Sequence, residues 1–140
     1  DPLVTVLDVD SDPTGPSDLF AAAKVGFSQA VTATANAAGA NAVAAVAPYY
    51  GVIPWPTAQP DWSALTATVV GEYAEFDDFA GPEATRALEA TLRGLGKDAT
   101  MHIHPGTHHA FFNDARPEVH DAAASAAAFA RTTALFRDTL

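Results

Sequence analysis

The chain has 140 residues, of which 49% are hydrophobic and 17% charged, so it has the length and composition of a single folded domain. Its net charge of -10 makes nucleic acids and anionic membranes poor partners, and the absence of cysteine excludes disulfides, thiolate zinc sites and a cysteine nucleophile from this chain. No apolar run approaches the roughly 20 residues of a membrane span, and Asp1-Pro2 does not open a secretion signal, so we expect a cytoplasmic protein.

In the first half of the chain, short strand-like runs alternate with helical segments. The β-branched run at 3–7 predicts a strand, and a turn-rich segment at 8–17 follows it. A brief helical piece at 18–23, a very short strand at 24–27 and a helix at 29–38 come next. The apolar run at 41–46 is too short to assign by itself, and an irregular, proline-rich stretch follows at 48–61.

The second half has more regular patterns. Residues 66–70 predict a buried strand. A helix is expected to begin at Gly81-Pro82 and to end at Gly94 and Gly96, with an apolar stripe formed by Ala84, Ala87, Leu88, Leu92 and Leu95. Residues 98–104 alternate as a strand with Thr100, His102 and His104 on one face. A loop at 105–117 and a last helix at about 121–140 follow, the helix carrying Phe129, Phe136 and Leu140 on one face. This alternation predicts a parallel sheet covered by helices.

A G-x-S-x-A pattern at 26–30 lies between a predicted strand and a predicted helix. A sharp strand-to-helix turn needs small residues on both sides of its central residue, and it lifts that residue's hydroxyl clear of the sheet. Ser28 is therefore a candidate nucleophile, and the backbone N–H of Gln29 is a candidate oxyanion donor at the start of the helix.

An acidic segment at 72–79 directly follows the strand at 66–70. A carboxylate at the carboxyl end of a parallel strand is well placed to orient a histidine. The alternative is that this segment is a solvated loop on an acidic protein.

Four of the five histidines lie between positions 102 and 109. His102 and His104, with a third imidazole from the loop, suit a metal site. A single histidine after the last strand suits a general base instead, since the ordinary pKa of imidazole lies near 6.5.

The order of these residues along the chain favours catalysis over metal binding. Ser28, Asp77 and His109 follow the order Ser…Asp…His of α/β-hydrolases, which a metal site would not require. In this hypothesis His109 takes the proton of Ser28, and Asp77 fixes the imidazole tautomer.

Several segments of the chain resemble the dienelactone hydrolase family, whose members are α/β-hydrolase-fold enzymes that open lactone or ester bonds. The resemblance is specific from about residue 44 to the end and extends back to residue 24. The matching segments are Pro48-Tyr49-Tyr50-Gly51, Gly71-Glu72 with its acidic loop, Pro82-Glu83-Ala84 with its helix, Gly96-Lys97-Asp98, and Pro105-Gly106-Thr107-His108-His109-Ala110-Phe111 through Pro117.

The resemblance implies a site in which His109 is the catalytic histidine, Asp77 the aspartate (or Asp78, if the loop is offset by one) and Ser28 the elbow residue. It implies no cofactor and a small ester or lactone as substrate. Tyr49, Tyr50 and Trp55 are expected to line the substrate site, and Arg116 is the candidate for gripping a substrate carboxylate.

The chain also departs from the family pattern. Family members have cysteine at the elbow, where this chain has Ser28, and two glycines where it has Ala30 and Val31. Family members are longer at the N-terminus. We therefore expect a single domain at 1–140, with 1–23 divergent, that forms a truncated, mostly parallel sheet of about five strands flanked by helices. Its open edge beside the nucleophile strand predicts pairing with another copy of the chain.

Two alternatives to the Ser-His-Asp hydrolase stay open at this point. One is a catalytically weak or inactive shortened relative that acts as a structural or oligomerising module. The other is a metal binder that uses the histidine cluster.

Overall fold

A computed structural model of the chain describes residues 44–51 and 61–139. In this part of the chain three parallel strands form a sheet in the order β1-β2-β3. The elements are β1 (Ala45–Val46), a 3-10 turn (Trp62–Ala64), β2 (Thr68–Phe76), α1 (Pro82–Gly94), β3 (Ala99–His108) and α2 (Ala122–Thr139). The predicted α/β class with a parallel sheet is confirmed. Of the predicted elements, the strands at 3–7 and 24–27 and the helices at 18–23 and 29–38 lie outside the described residues.

Strand β2 is longer than predicted, because it continues beyond Val70 to Phe76. It pairs with β3 in a register that places Glu72 beside His102 and Ala74 beside His104, and the register shifts between Ala74 and Phe76. Part of the expected acidic loop is therefore strand. Strand β3 is also longer, since it extends through the expected loop residues Pro105 and Gly106 to His108.

Helix α1 has the predicted ends. Pro82 stands in its first turn, where the missing N–H costs nothing, and the chain turns at Gly96 with a φ of 73° beyond its last residue, Gly94. The predicted apolar stripe is wrong in part, because Thr85 and Leu92 are the buried residues. The Thr85 hydroxyl donates to the carbonyl oxygen of Ala80 at 3.0 Å, so its polar group is satisfied inside the protein. Of the predicted stripe, Ala84, Ala87 and Leu95 are exposed.

Helix α2 presents small residues to the sheet. Its buried residues are Ala124, Ser125, Ala128 and Thr132, whereas Phe129 is 61% exposed. Alanine and serine side chains are small enough to let a helix pack closely against a sheet. Of the predicted aromatic face, Phe136 is half-buried, and Leu140 lies outside the described residues.

The two helices cover opposite faces of the sheet. Tyr73 packs with Leu92 of α1 in one core cluster, and its neighbour Ala74 packs with Ala124 and Ala128 of α2 in another, as the alternation of side chains along a strand requires. Because β2 and β3 are parallel, their carboxyl ends meet at the same edge of the sheet. The segments that begin at Asp77 and at His109 are thereby brought together.

None of the helices in the described ranges is long and apolar enough to cross a bilayer. The sheet edge that is expected to pair with another copy of the chain belongs to residues outside those ranges, so this partnership stays a prediction. Light scattering of the purified chain tests it, with a monomer as the contradicting result.

Candidate active site

The carboxyl group of Asp77 is fixed by the tight turn that ends β2. Its Oδ1 atom accepts hydrogen bonds from the backbone N–H groups of Phe79 at 2.8 Å and Ala80 at 2.9 Å. Aspartate favours such turns because its short side chain reaches the backbone two or three residues later. The side chain is 0% exposed, so both carboxyl oxygens have to find partners within the protein.

The second carboxyl oxygen of Asp77 meets the imidazole of His109, the first residue after β3. The distance from His109 Nδ1 to Asp77 Oδ2 is 2.7 Å. The His109 side chain is 32% exposed, so its ring is held on one side and accessible on the other. Asp77 and His109, predicted to act together, are in direct contact. Asp78, the offset alternative, is exposed.

This geometry determines which nitrogen of His109 carries the proton. Burial of Asp77 acts to raise its pKa, but the hydrogen bonds from His109 and from the Ala80 and Phe79 N–H groups outweigh it, and the pKa lies below its usual value. Asp77 is therefore a carboxylate at neutral pH and can only accept. His109 Nδ1 must then donate, and in the neutral imidazole Nε2 is left as the basic atom.

The ring of His109 is bordered by aromatic side chains. The ring centroid of Tyr50 lies 5.0 Å from that of His109, and the centroid of Phe79 lies 6.5 Å away. Tyr49 points elsewhere, with its hydroxyl 2.9 Å from Thr132 Oγ1 and its ring against Phe112 at 4.9 Å. Of the two tyrosines expected to line the substrate site, Tyr50 is the one in contact with the imidazole.

The remaining predicted site residues do not join this pair among the described residues. Ser28, Gln29 and Trp55 lie outside the described ranges. Arg116 bonds within its own loop, where its Nε atom donates to Glu118 Oε1 at 3.0 Å. Its role in binding a substrate carboxylate therefore stays a prediction.

The structure also contains a buried ionic cluster that the sequence analysis missed. Glu72 lies inside β2 with a side chain that is 0% exposed, and Arg131 of α2 binds it with two hydrogen bonds, Nε to Oε1 at 2.9 Å and Nη2 to Oε2 at 2.8 Å. The Nε2 atom of His104 is 2.7 Å from Glu72 Oε2. A bidentate arginine is the strongest partner for a carboxylate in such a position, and its hydrogen bonds with Glu72 raise the pKa of Arg131. The only indications in the sequence were an acidic residue next to an apolar run and an arginine within an alanine-rich helix.

This cluster also changes the interpretation of the histidines. His104 is engaged by Glu72 and Arg131, and burial, with the charge of Arg131 next in size, lowers the pKa of His102. Within residues 44–51 and 61–139, no group of three or more histidine, aspartate or glutamate side chains could hold a metal ion. The metal-binding hypothesis thus has no ligand set in this part of the chain.

Gly81, at the end of the Asp77 turn, leads to a prediction about stability. A Cβ atom at this position would lie 2.6 Å from the carbonyl oxygen of Asp77, closer than any real contact, although the φ of -64° suits every residue. We expect Gly81→Ala to lower the free energy of unfolding by about 1–3 kcal/mol, because the turn has to shift. Urea denaturation measures this effect.

Gly94→Ala is the matched control for this substitution. A Cβ atom at Gly94 meets nothing within 4 Å, and the residue is the last of α1. Alanine there should leave stability unchanged or raise it by up to about 1 kcal/mol. Equal stabilities of the two variants would show that the turn tolerates a side chain.

The fold agrees with that of known proteins. The profile of the dienelactone hydrolase family matches residues 23–140. A search of curated proteins returned no match.

Solved structures with the same fold include a candidate dienelactone hydrolase from Klebsiella pneumoniae subsp. pneumoniae MGH 78578. It is 22% identical with a TM-score of 0.61, and the match covers 69% of this chain and 42% of that protein. Another is a dienelactone hydrolase-like promiscuous phosphotriesterase from metagenomic libraries, 17% identical with a TM-score of 0.63, for which the match covers 76% of this chain and 45% of that one. The chain thus matches less than half the length of either protein.

Proposed function

Because this chain belongs to the dienelactone hydrolase family, we propose that it hydrolyses small ester or lactone substrates with a Ser28-His109-Asp77 triad. The observation that carries the proposal is the 2.7 Å contact between His109 Nδ1 and the buried carboxylate of Asp77. A carboxylate in this position holds the imidazole in the tautomer whose Nε2 atom can accept a proton. The order of the three residues along the chain supports the same assignment.

The proposed reaction has two halves with the same proton carrier. His109 Nε2 takes the proton of the Ser28 hydroxyl as Oγ bonds to the substrate carbonyl carbon. When the tetrahedral intermediate collapses, the C–O bond of the ester or lactone breaks, and His109 gives its proton to the leaving oxygen. Water then attacks the acyl-enzyme with His109 as base again, and the acid is released as Ser28 regains its proton.

Stabilisation of the tetrahedral intermediate is assigned to the backbone N–H of Gln29. Its position after the nucleophile, at the start of a predicted helix, is the usual place of an oxyanion donor in this class of hydrolases. A single such donor contributes roughly 10²–10³ in rate. Burial of Asp77 strengthens its interaction with His109, since water does not compete for the carboxylate oxygens.

The proposal is tested with a chromogenic ester and a covalent probe. The purified chain is expected to hydrolyse p-nitrophenyl acetate and to be labelled by a fluorophosphonate at Ser28, as identified by peptide mass spectrometry. Ser28→Ala should abolish both the turnover and the label.

Ser63→Ala is the control, because Ser63 is an exposed serine outside the proposed site and its loss should change neither readout. Turnover that survives in Ser28→Ala, or a label on a different residue, would contradict the proposed nucleophile. A wild-type chain that neither turns over the ester nor takes up the probe would contradict the proposed activity itself.

A further inference from the structure

Tyr50 has an unusual backbone conformation next to the candidate site. Its φ is 54°, in the left-handed region that bulky residues rarely adopt. Such a conformation persists only when the surrounding structure fixes it. Here the N–H of Tyr50 donates to the carbonyl oxygen of Glu72 in β2 at 2.9 Å, and the side chain is buried.

The buried side chain of Tyr50 holds the turn that carries His109. Its hydroxyl oxygen accepts the backbone N–H of Phe112 at 2.7 Å. Its ring packs against His109 at 5.0 Å and edge-on against Phe111 at 5.2 Å. One tyrosine thus contacts His109, Phe111 and Phe112, and the φ of 67° at Ala110 between them shows that this turn is itself tightly constrained.

The turn after His109 also touches the sheet through the ring of Phe111, whose centroid lies 4.6 Å from that of His104 in β3. Its other hydrogen bonds run to α2, where the Ser125 hydroxyl donates to the carbonyl oxygen of Phe111 at 3.0 Å, to the N–H of Asp121, which donates to the same oxygen, and to its own start at the carbonyl of His108. The bond from Phe112 to Tyr50 ties the turn instead to the segment that follows β1. It therefore limits how far His109 can swing away from Asp77.

We propose that Tyr50 is a positioning residue for His109. By accepting the Phe112 N–H, its hydroxyl keeps the imidazole at hydrogen-bonding distance from Asp77. This role differs from the substrate contact expected from the sequence, because the hydroxyl oxygen is engaged inside the protein. The inference rests on the proposed function. It assigns to Tyr50 an effect on the rate of the chemical step rather than on the binding of the ester.

The test compares Tyr50→Phe with Tyr73→Phe. Each variant loses only a hydroxyl, since Tyr73 OH donates to the carbonyl oxygen of Gly51 at 2.8 Å, and both bonds fix the same segment of chain. Tyr73 is buried in the core cluster on the α1 face, whereas Tyr50 belongs to the cluster on the α2 face. The two variants should therefore lower the melting temperature by similar amounts and differ only in their effect on the site.

Tyr50→Phe is expected to lower kcat for p-nitrophenyl acetate roughly 10–100-fold with KM unchanged, because small displacements of a catalytic group are costly. Tyr73→Phe should retain the kcat of the wild type. A second readout needs no substrate: the proton shared between His109 Nδ1 and Asp77 should give a low-field ¹H NMR resonance, identified by its loss in His109→Ala. This resonance should broaden or vanish in Tyr50→Phe and persist in Tyr73→Phe.

The two readouts separate this inference from the proposed function. If the wild-type chain is inactive, the proposed function fails, while the resonance still reports whether Tyr50 positions His109. The inference is overturned if Tyr50→Phe retains the resonance, if Tyr73→Phe loses it equally, or if Tyr50→Phe raises KM at constant kcat, which would indicate a substrate contact.

Discussion

Asp77→Asn is expected to lower kcat for p-nitrophenyl acetate about 10⁴-fold at neutral pH, the order of magnitude found when a triad aspartate becomes an amide. The structure gives a specific reason. The Oδ1 position of Asp77 accepts two backbone N–H groups, so the amide oxygen of asparagine has to take that position. The NH2 group then faces His109 Nδ1, which can only accept from it.

The consequence is a change of tautomer at His109. With Nδ1 as the acceptor, the proton of the neutral ring moves to Nε2, and that atom can no longer take a proton from a nucleophile. The variant should fold normally, because the volume and the turn hydrogen bonds are kept. Its circular dichroism spectrum and urea midpoint should therefore stay close to those of the wild type.

Asp78→Asn is the control for the loss of one negative charge in the same loop. Asp78 is exposed, and its substitution should leave kcat within about twofold, as expected for a surface change away from the site. If Asp78→Asn were as inactive as Asp77→Asn, activity would depend on the total negative charge of the loop and not on Asp77 in particular. A fully active Asp77→Asn would remove Asp77 from the proposed mechanism.

Arg131→Met is expected to lower the free energy of unfolding by about 3 kcal/mol, the largest stability effect that we predict. The substitution leaves the Glu72 carboxylate 0% exposed without its bidentate partner, and an uncompensated buried charge is strongly destabilising. The expected size is at the lower end of the range for buried pairs, because the Arg131 side chain is itself 34% exposed. Urea denaturation at neutral pH measures the effect.

Arg137→Met supplies the matched control on the same helix. Arg137 pairs with Asp138 at 2.9 Å, but both side chains are about 70% exposed, and such surface pairs contribute at most about 1 kcal/mol. A double variant, Glu72→Met with Arg131→Met, should be more stable than the sum of the two single changes predicts, since neither charge is left alone. Equal losses in Arg131→Met and Arg137→Met would show that the cluster does not hold α2 to the sheet.

The local features that the sequence predicted well depend on residues close to one another along the chain. The ends of α1 follow from Pro82, which starts a helix without losing a hydrogen bond, and from the glycines at 94 and 96, which end it. The contact between Asp77 and His109 followed from a simple rule, that neighbouring parallel strands end at the same edge of a sheet. Applying this rule requires only that β2 and β3 are recognised as strands in the sequence.

The sequence-based predictions failed or stayed incomplete where contacts with distant parts of the chain determine the local structure. Glu72 was placed after the end of the strand, but it belongs to β2, where Arg131, 59 residues later, compensates its charge. The sequence placed Phe129 and Phe136 on one face of the last helix without showing which face meets the sheet, and in the structure the small side chains of α2 do. Pro105 and Gly106 looked like the start of a loop, but β3 continues through them.

The sequence by itself determined the α/β class, the limits of α1 and the residues that meet at the end of the sheet, because backbone sterics and strand direction act over a few residues. Only the tertiary structure decided that Glu72, His104 and Arg131 form a buried cluster and that Tyr50 holds the turn after His109. Hydrogen bonds of 2.7–2.9 Å between such distant positions depend on how helices and strands pack, and no pattern of neighbouring residues records that packing.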